Sequence, residues 1–307
     1  MSGARALALD WGTSTLRAWR LGEAGCVLAQ RQQPWGLMHL PAGGFEAALR
    51  GITDGWLDDG VPLIAAGMVG SAQGWREVPY VDCPAGAEAL ASGLLAIDAG
   101  AGLTLHVVPG VRHPRPDVMR GEETQCLGAL ALQPALAERA TLLLPGTHSK
   151  WLRVAHGRIV DFQTYMTGEL YALLREHSIL GRPARVAGPQ ASNEAFDRGV
   201  AALRGEPQAG LSPLLFGTRA LVLSGRLQAA QSLDYLSGLL IGEELRCALA
   251  QHDAAAPLAL IGDGALCARY QRALALHGMT RAPTVEGATV AGLWQVALRA
   301  GLVGEAA

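Results

Sequence analysis

Residues 6–15 read ALALDWGTST. Four apolar residues run straight into Asp10, Trp11, Gly12, Thr13, Ser14 and Thr15. A short unbroken apolar run that stops at glycine and hydroxyl residues predicts a buried strand ending in a polar turn. The apolar pattern resumes at Leu16, Ala18, Trp19 and Leu21, and residues 22–25 (GEAG) close it. Strand, turn and strand make a hairpin, and residues 26–30 extend the sheet. The same grammar returns later in the chain. Residues 141–144 are an apolar strand that ends in Pro145, Gly146, Thr147, His148, Ser149 and Lys150, and residues 151–155 and 158–162 flank His156-Gly157 as a second hairpin. The repetition of strand, polar glycine loop and strand indicates two related halves rather than a short-period repeat.

Between these hairpins, residues 45–57 have helical spacing at Phe45, Leu49, Ile52 and Trp56. Residues 61–66 and 103–108 are further buried strands, the first continuing into a glycine-rich loop at 68–75. Alternation of such runs with helices predicts an α/β protein. Residues 111–117 carry prolines and charges in close succession and are expected to be irregular. Residues 121–131 predict a helix that opens with acidic side chains, as the helix dipole favours. Helices are also predicted over 192–203, with Ser192 as N-cap, over 232–249, where Gly238 and Gly242 allow close helix contact, and over 265–277 and 290–302. Residues 258–261 are a last buried strand, running into Gly262-Asp263-Gly264.

Composition narrows the function. The 307 residues are 50% hydrophobic and 17% charged, enough apolar content for two cores and too little charge for a disordered chain. A net charge of -2 with no dense Lys/Arg run argues against nucleic acid as a partner. No stretch of about 18 uncharged apolar residues occurs, so no membrane span is expected. The five cysteines are scattered, odd in number and form no C-x-x-C, which favours a reducing, cytoplasmic setting over a disulfide framework or zinc cluster.

Three loops each follow a predicted buried strand: 10–15, 145–150 and 262–264. Glycine lets backbone N–H groups approach an anion, Thr and Ser hydroxyls add donors, and a nearby Asp can hold a cation. Binding of a polyphosphate with Mg2+ requires this combination. The chain has no G-x-x-x-x-G-K-[ST], and no G-x-G-x-x-G follows the first strand, which excludes the P-loop class and counts against a dinucleotide fold.

DWGTSTLRAW (10–19) resembles the first phosphate motif of the actin, hexokinase and Hsp70-like ATPase superfamily, with Asp10, Gly12, Thr13 and Arg17 at the spacing of its glycerol-kinase branch. LPGTHSKW (144–151) is similar to the second phosphate loop of those kinases. MRGEETQ (119–125) resembles their Gly-Asp-Gln-Gln segment, whose acidic residue is the catalytic base. Together with AAGMVGSAQGW (65–75), MTGEL (166–170) and LSGLLIG (236–242), the set resembles the 2-dehydro-3-deoxygalactonokinase family over nearly the whole chain.

The resemblance implies a two-domain actin-like ATPase (ribonuclease H-like) fold with an interdomain nucleotide cleft. The domains would be 1–118, with the first phosphate loop and most of the sugar-acid site, and 119–307, with the second loop and the adenosine site. It implies ATP and Mg2+ as cofactors and phosphorylation of 2-dehydro-3-deoxy-D-galactonate at O6 in galactonate catabolism. Asp10 would hold the metal. Gly12, Thr13, Ser14, Arg17, Gly146, Thr147, His148, Gly262 and Gly264 would face the nucleotide, and Trp11, Met68, Ser71, Trp75, Arg120 and Lys150 the substrate. A homodimer is compatible with this reading. Glu122 would be the catalytic base, although the family's Asp is replaced by the longer Glu and Glu123 is adjacent; both carboxylates also suit a helix N-terminus. Each other residue has a plainer reading as well: Arg17 paired on a strand surface, Trp11 packed inside, the 67–75 loop an ordinary connection, Glu169 a helix cap. The rivals are a sugar or polyol kinase with another acceptor and a non-catalytic ATP-dependent switch.

Overall fold

The computed structural model describes residues 3–57, 60–205 and 210–304. These form two compact units, the first made of residues 3–57, 60–140, 152–162 and 285–304, the second of 141–151, 163–205 and 210–284. The chain therefore leaves the first unit twice, and returns to it at 152 and again at 285.

The first unit is built on a six-stranded sheet. Its strands are β1 (Ala6–Trp11), β2 (Leu16–Leu21), β3 (Val27–Gln33), β4 (Leu63–Gly67), β6 (Leu95–Asp98) and β7 (Thr104–Val107), in the order β3-β2-β1-β4-β7-β6. A second, small sheet contains β5 (Val81–Asp82), β8 (Val111–His113) and β9 (Asp117–Met119). The predicted hairpin is present: β1 and β2 pair antiparallel with Ala6 opposite Leu21 and Trp11 opposite Leu16. β4 runs parallel to β1, with Trp11 opposite Gly67. The carboxyl ends of these neighbouring parallel strands therefore lie side by side, the usual place for ligand loops in an α/β sheet. The core contains Leu7, Leu9, Trp11, Leu49 and Leu105, all fully buried. Helix α1 (Gly44–Ile52) covers this core with Ala48, Leu49 and Ile52.

Residues 111–117 are not irregular as expected. β8 and β9 pair antiparallel, with Val111 opposite Met119 and His113 opposite Asp117. Pro114 and Pro116 fall in the turn between them, where a missing N–H breaks no ladder bond.

Helix α2 (Ala87–Ser92) precedes β6, and α3 (Glu122–Leu132) follows β9, with α4 (Ala135–Glu138) after it. The last helix, α11 (Ala288–Arg299), packs against α3 through glycine. A Cβ on Gly128 would lie 1.8 Å from the Ala288 carbonyl oxygen, and one on Gly292 would lie 1.8 Å from that of Thr124.

The four-stranded sheet has the order β12-β11-β10-β13, with β10 (Arg139–Leu144), β11 (Ser149–Ala155), β12 (Arg158–Tyr165) and β13 (Leu258–Leu260). β10 and β13 are parallel, Thr141 opposite Leu258, so the 145–148 and 262–264 loops leave adjacent strand ends. The helices of the second unit are α5 (Thr167–His177), α6 (Arg182–Ala187), α7 (Asn193–Gly205), α8 (Leu211–Leu223), α9 (Ser232–Leu249) and α10 (Gly264–Leu276). Ser192 caps α7 as expected, its Oγ accepting from the Ala195 N–H at 3.1 Å. Gly238 of α9 faces the backbone of α7, where a Cβ would come within 2.0 Å of the Phe196 oxygen. The adjoining core holds Leu143, Phe196, Val200, Leu245 and Tyr270.

Candidate active site

At the carboxyl end of β1, Asp10 lies opposite Arg17 of β2, and their side chains form an ion pair at 2.7 Å. The Asp10 side chain is only 14% exposed. Burial pushes its carboxyl above the usual carboxylate range, Arg17 opposes that rise, and the charge of Glu122 adds to it. Glu122 is thus within electrostatic reach of Asp10, although the two are far apart in sequence. The approach is made through glycine. Gly67 and Gly121 have φ of +96° and +112°, and a Cβ on Gly67 would lie 2.7 Å from the Trp11 oxygen.

Glu122 and Glu123 occupy different environments at the start of α3. Glu123 is fully buried and satisfied: both its carboxylate oxygens accept from the Gly121 N–H, at 2.9 and 2.7 Å, and Oε1 also accepts from Thr124 Oγ1 at 3.0 Å. Burial, and then the neighbouring Glu122 charge, push its carboxyl up to about 7. Glu122 is half-buried, with Oε2 accepting from the Arg120 N–H at 3.0 Å. Two adjacent carboxylates held in unlike surroundings are suited to unlike tasks.

Arg120 spends one guanidinium nitrogen on structure. Nη2 donates to the Val78 oxygen at 2.8 Å, and the group lies over the Tyr80 ring, 4.3 Å from its centroid. Nε and Nη1 are buried without a hydrogen-bond partner. Nη1 lies against Gly70, and the next residue, Ser71, also has a buried, unpartnered hydroxyl. Buried cationic donors left without an acceptor are costly, and an anion is their natural complement. Met68 is half-buried in the turn that follows β4. Trp75 is half-buried and stacks on Phe45 at 5.6 Å.

Trp11 is fully buried. Its ring packs against Phe45 and Trp75, and Nε1 donates to the Trp35 oxygen at 3.0 Å. It therefore presents no free face, and its part is to anchor the loop that follows. In that loop the Gly12 N–H bonds the Thr15 oxygen at 2.9 Å, and residues 37 and 38 donate to the oxygens of Gly12 and Thr13. Thr13 and Ser14 are exposed on this braced turn.

In the second unit, Pro145, Gly146 and Thr147 border a cavity of about 550 Å³, with Gly168, Tyr171 and Asp263 among its other walls. This volume is in the range of small-ligand pockets, about 300–1,000 Å³. α5 begins hard against the loop: a Cβ on Gly168 would lie 2.4 Å from the Gly146 oxygen. Thr147 and His148 are exposed. His148 pairs with Glu169 of α5, so Glu169 is tied to the loop as well as sitting in the helix's first turn. Lys150 is only 5% exposed, carried inward by β11. Gly262 and Gly264 are exposed on either side of Asp263, which caps α10 by accepting from the Leu266 N–H at 3.0 Å.

Sequence reasoning did not single out Tyr171, Ser237, Arg269 and Tyr270, which also line the cavity. Their available signal was the pair of motifs MTGEL and LSGLLIG, which border it through Thr167, Gly168, Ser237, Leu240 and Ile241.

Among the described residues, no helix is long and apolar enough to cross a membrane and no group of three or more His, Cys, Asp and Glu is placed to hold a metal.

A sequence profile of the 2-keto-3-deoxy-galactonokinase family matches residues 10–296. The 2-dehydro-3-deoxygalactonokinase of Escherichia coli (strain K12) is 37% identical over 281 residues, covering 90% of this chain and 91% of the relative. A Rhizobium meliloti (strain 1021) protein named for the same activity is 38% identical over 294 residues, 93% of this chain and 94% of its own. A crystal structure from Sinorhizobium meliloti, named for the same kinase, superposes with a TM-score of 0.87 at 37% identity, covering 95% of this chain and 98% of that one. An activator of 2-hydroxyisocaproyl-CoA dehydratase from Clostridium difficile, solved with bound ADPNP, shares the fold alone, with a TM-score of 0.51 at 12% identity over 95% of this chain and 94% of that one. The architecture is that of the actin-like ATPases, and the chain belongs to the 2-keto-3-deoxy-galactonokinase family.

Proposed function

We propose that the chain transfers the terminal phosphoryl group of ATP to O6 of 2-dehydro-3-deoxy-D-galactonate, a step of galactonate catabolism. The observation that carries this reading is the cluster at the carboxyl ends of β1 and β4. It combines a half-buried Glu122 close to Asp10 with an Arg120 whose Nε and Nη1 lack partners. A sugar acid presents both a hydroxyl and a carboxylate, and Glu122 and Arg120 would serve as base for the first and cation for the second.

Arg120 and Ser71 would take the substrate carboxylate, and Met68 and Trp75 would border the sugar. Glu122 would accept the O6 proton as that oxygen attacks the γ-phosphorus and ADP departs. Phosphoryl transfer asks the protein mainly for positioning and charge stabilisation. The exposed hydroxyls of Thr13 and Ser14, with Gly12 and Arg17, would meet phosphate oxygens. Gly146, Thr147 and His148 would do the same, and the 550 Å³ cavity, with Gly262 and Gly264 beside it, would take the nucleoside. Lys150 is assigned to the substrate set from its motif alone. In this reading residues 1–118 supply the first phosphate loop and most of the sugar-acid contacts, and 119–307 the second loop and the adenosine contacts.

Asp10 suits a divalent cation. Its carboxylate is shielded, its charge is opposed by burial and by Glu122, and a cation relieves both. Asp10 would hold Mg2+ that comes with the nucleotide, and that ion would supply neutralisation of phosphate charge.

The test is a coupled assay with MgATP across 2-dehydro-3-deoxy-D-galactonate, glycerol, xylulose and glucose, with the product's phosphate located by NMR. Rapid turnover of the sugar acid alone, with phosphate on C6, is expected. Equal rates on neutral acceptors would point to a general polyol kinase, and ATP turnover indifferent to acceptor would point to a switch.

A further inference from the structure

Glu244 is a carboxylate that the reaction described above does not use. It stands on α9 and is 1% exposed. Its Oε1 accepts from Trp151 Nε1 of β11 at 2.8 Å. Its Oε2 accepts from the Tyr270 hydroxyl of α10 at 2.7 Å and from Thr167 Oγ1 at the start of α5. Burial raises its carboxyl above the usual range while these donors hold it down. Two of the donors, Thr167 and Tyr270, are themselves walls of the 550 Å³ cavity.

The network continues to the glycine loop. Tyr270 OH lies 2.9 Å from Ser149 Oγ, and Ser149 Oγ lies 3.4 Å from the Gly146 nitrogen. Glu244 accepts from all three of these donors, which sets the sense of the bonds that follow. Tyr270 commits its one proton to Glu244. Ser149 then donates to Tyr270, and its own oxygen is left to receive the Gly146 N–H. One buried carboxylate thus sets the hydrogen-bond direction from α9 to the backbone of the loop.

We propose that Glu244 is a positioning residue for nucleotide binding, acting through Tyr270 and Ser149 on the Gly146–Thr147 loop. The inference rests on the reading of this cavity and loop as the nucleotide site. A glutamine at 244 keeps the shape but presents an NH2 on one side, where Glu244 accepts from Trp151, Thr167 and Tyr270. If that NH2 faces Tyr270, the tyrosine proton turns to Ser149, the Ser149 proton must leave Tyr270, and the oxygen that receives the Gly146 N–H is re-aimed. Tyr270→Phe cuts the same chain at its middle while leaving Trp151 and Thr167 bound to Glu244.

The experiment measures ADP binding to the full-length protein by calorimetry, with KM for ATP and for the sugar acid determined separately. It compares wild type, Glu244→Gln, Tyr270→Phe and the double variant, each checked for thermal unfolding. Both single variants are expected to weaken ADP binding and raise KM for ATP about tenfold, with KM for the sugar acid within about twofold. The double variant should be no worse than about the weaker single one, since coupled residues are not additive. Unchanged ADP affinity in folded Glu244→Gln and Tyr270→Phe overturns the positioning role, as does an equal rise in both KM values or full additivity. Wild-type protein that binds no ADP overturns the nucleotide reading and this inference with it.

Discussion

Asp10 and Arg17 face each other across the first hairpin, and the ion pair between them spans a single rung of the β1–β2 ladder. One rung in from the Trp11–Leu16 pair that borders the loop, the hairpin thus carries an acid whose charge one arginine compensates on one side. Asp10→Asn removes that charge with little change in shape. Turnover with MgATP is expected to fall by about 10²-fold or more, since lost charge stabilisation at a phosphoryl centre is worth several kcal/mol. The thermal midpoint should stay close to wild type. Steady-state rates over a Mg2+ titration check this; near-normal turnover would place the metal elsewhere.

Glu122→Gln should lower kcat by about 10²–10⁴, the usual contribution of a general base, and leave ADP affinity unchanged. Its neighbour is the internal control. Glu123 does not reach solvent, so Glu123→Gln should act on stability, by about 1–3 kcal/mol for a disturbed buried polar group. A large kcat loss confined to Glu123→Gln would move the base by one residue.

Glu123 also has a pH signature. Its carboxyl is held at about 7 in the folded chain against 4.5 ordinarily. The folded state binds this proton more tightly, so the group's contribution to stability is greatest below the ordinary value and declines as pH rises towards about 7. Glu123→Gln cannot ionise and should lose that decline. Denaturant unfolding of both proteins between pH 5 and 8 measures the difference. Parallel curves would show that Glu123 does not titrate differently on folding.

Arg120→Lys keeps the charge but cannot reproduce the planar donor set of Nε and Nη1. KM for the sugar acid is expected to rise about tenfold or more, as for loss of a charge-assisted hydrogen bond of about 1.5–3 kcal/mol, while KM for ATP moves little. The two KM values separate recognition of the carboxylate from a general disturbance around Val78 and Tyr80.

Gly128→Ala tests the helix crossing that holds α3. The added methyl would meet a backbone oxygen at 1.8 Å, so it cannot rotate aside. Overpacking of this kind costs about 1–3 kcal/mol or more, and a clear drop in the thermal midpoint is expected. Gly292→Ala should behave alike, because its clash is with the same pair of helices. Wild-type stability in both would mean that α3 and α11 separate readily.

Much of the fold is legible because its signals are local. The apolar run at residues 6–9, the glycine loops and the hairpin spacing all lie within a few residues of one another, and β1, β2, β10 and β11 follow from them. Residues 111–117 show the opposite case. Their prolines mask two short strands that pair with each other across the turn, and the first of them also pairs with β5, a partner distant in sequence.

The sequence by itself determined where glycine- and hydroxyl-rich loops follow buried strands and which family the chain resembles, since motif spacing and apolar periodicity are properties of the chain. Tertiary structure decided which side chains of each motif are buried and which reach the surface. Successive helix residues point about 100° apart, and the packing around the start of α3 buries Glu123 while leaving Glu122 half-exposed. The strand that carries Lys150 inward and the core that closes over Trp11 are likewise outcomes of packing between distant segments. So are the unpartnered nitrogens of Arg120, because burial and hydrogen-bond satisfaction depend on neighbours that only the folded chain brings together.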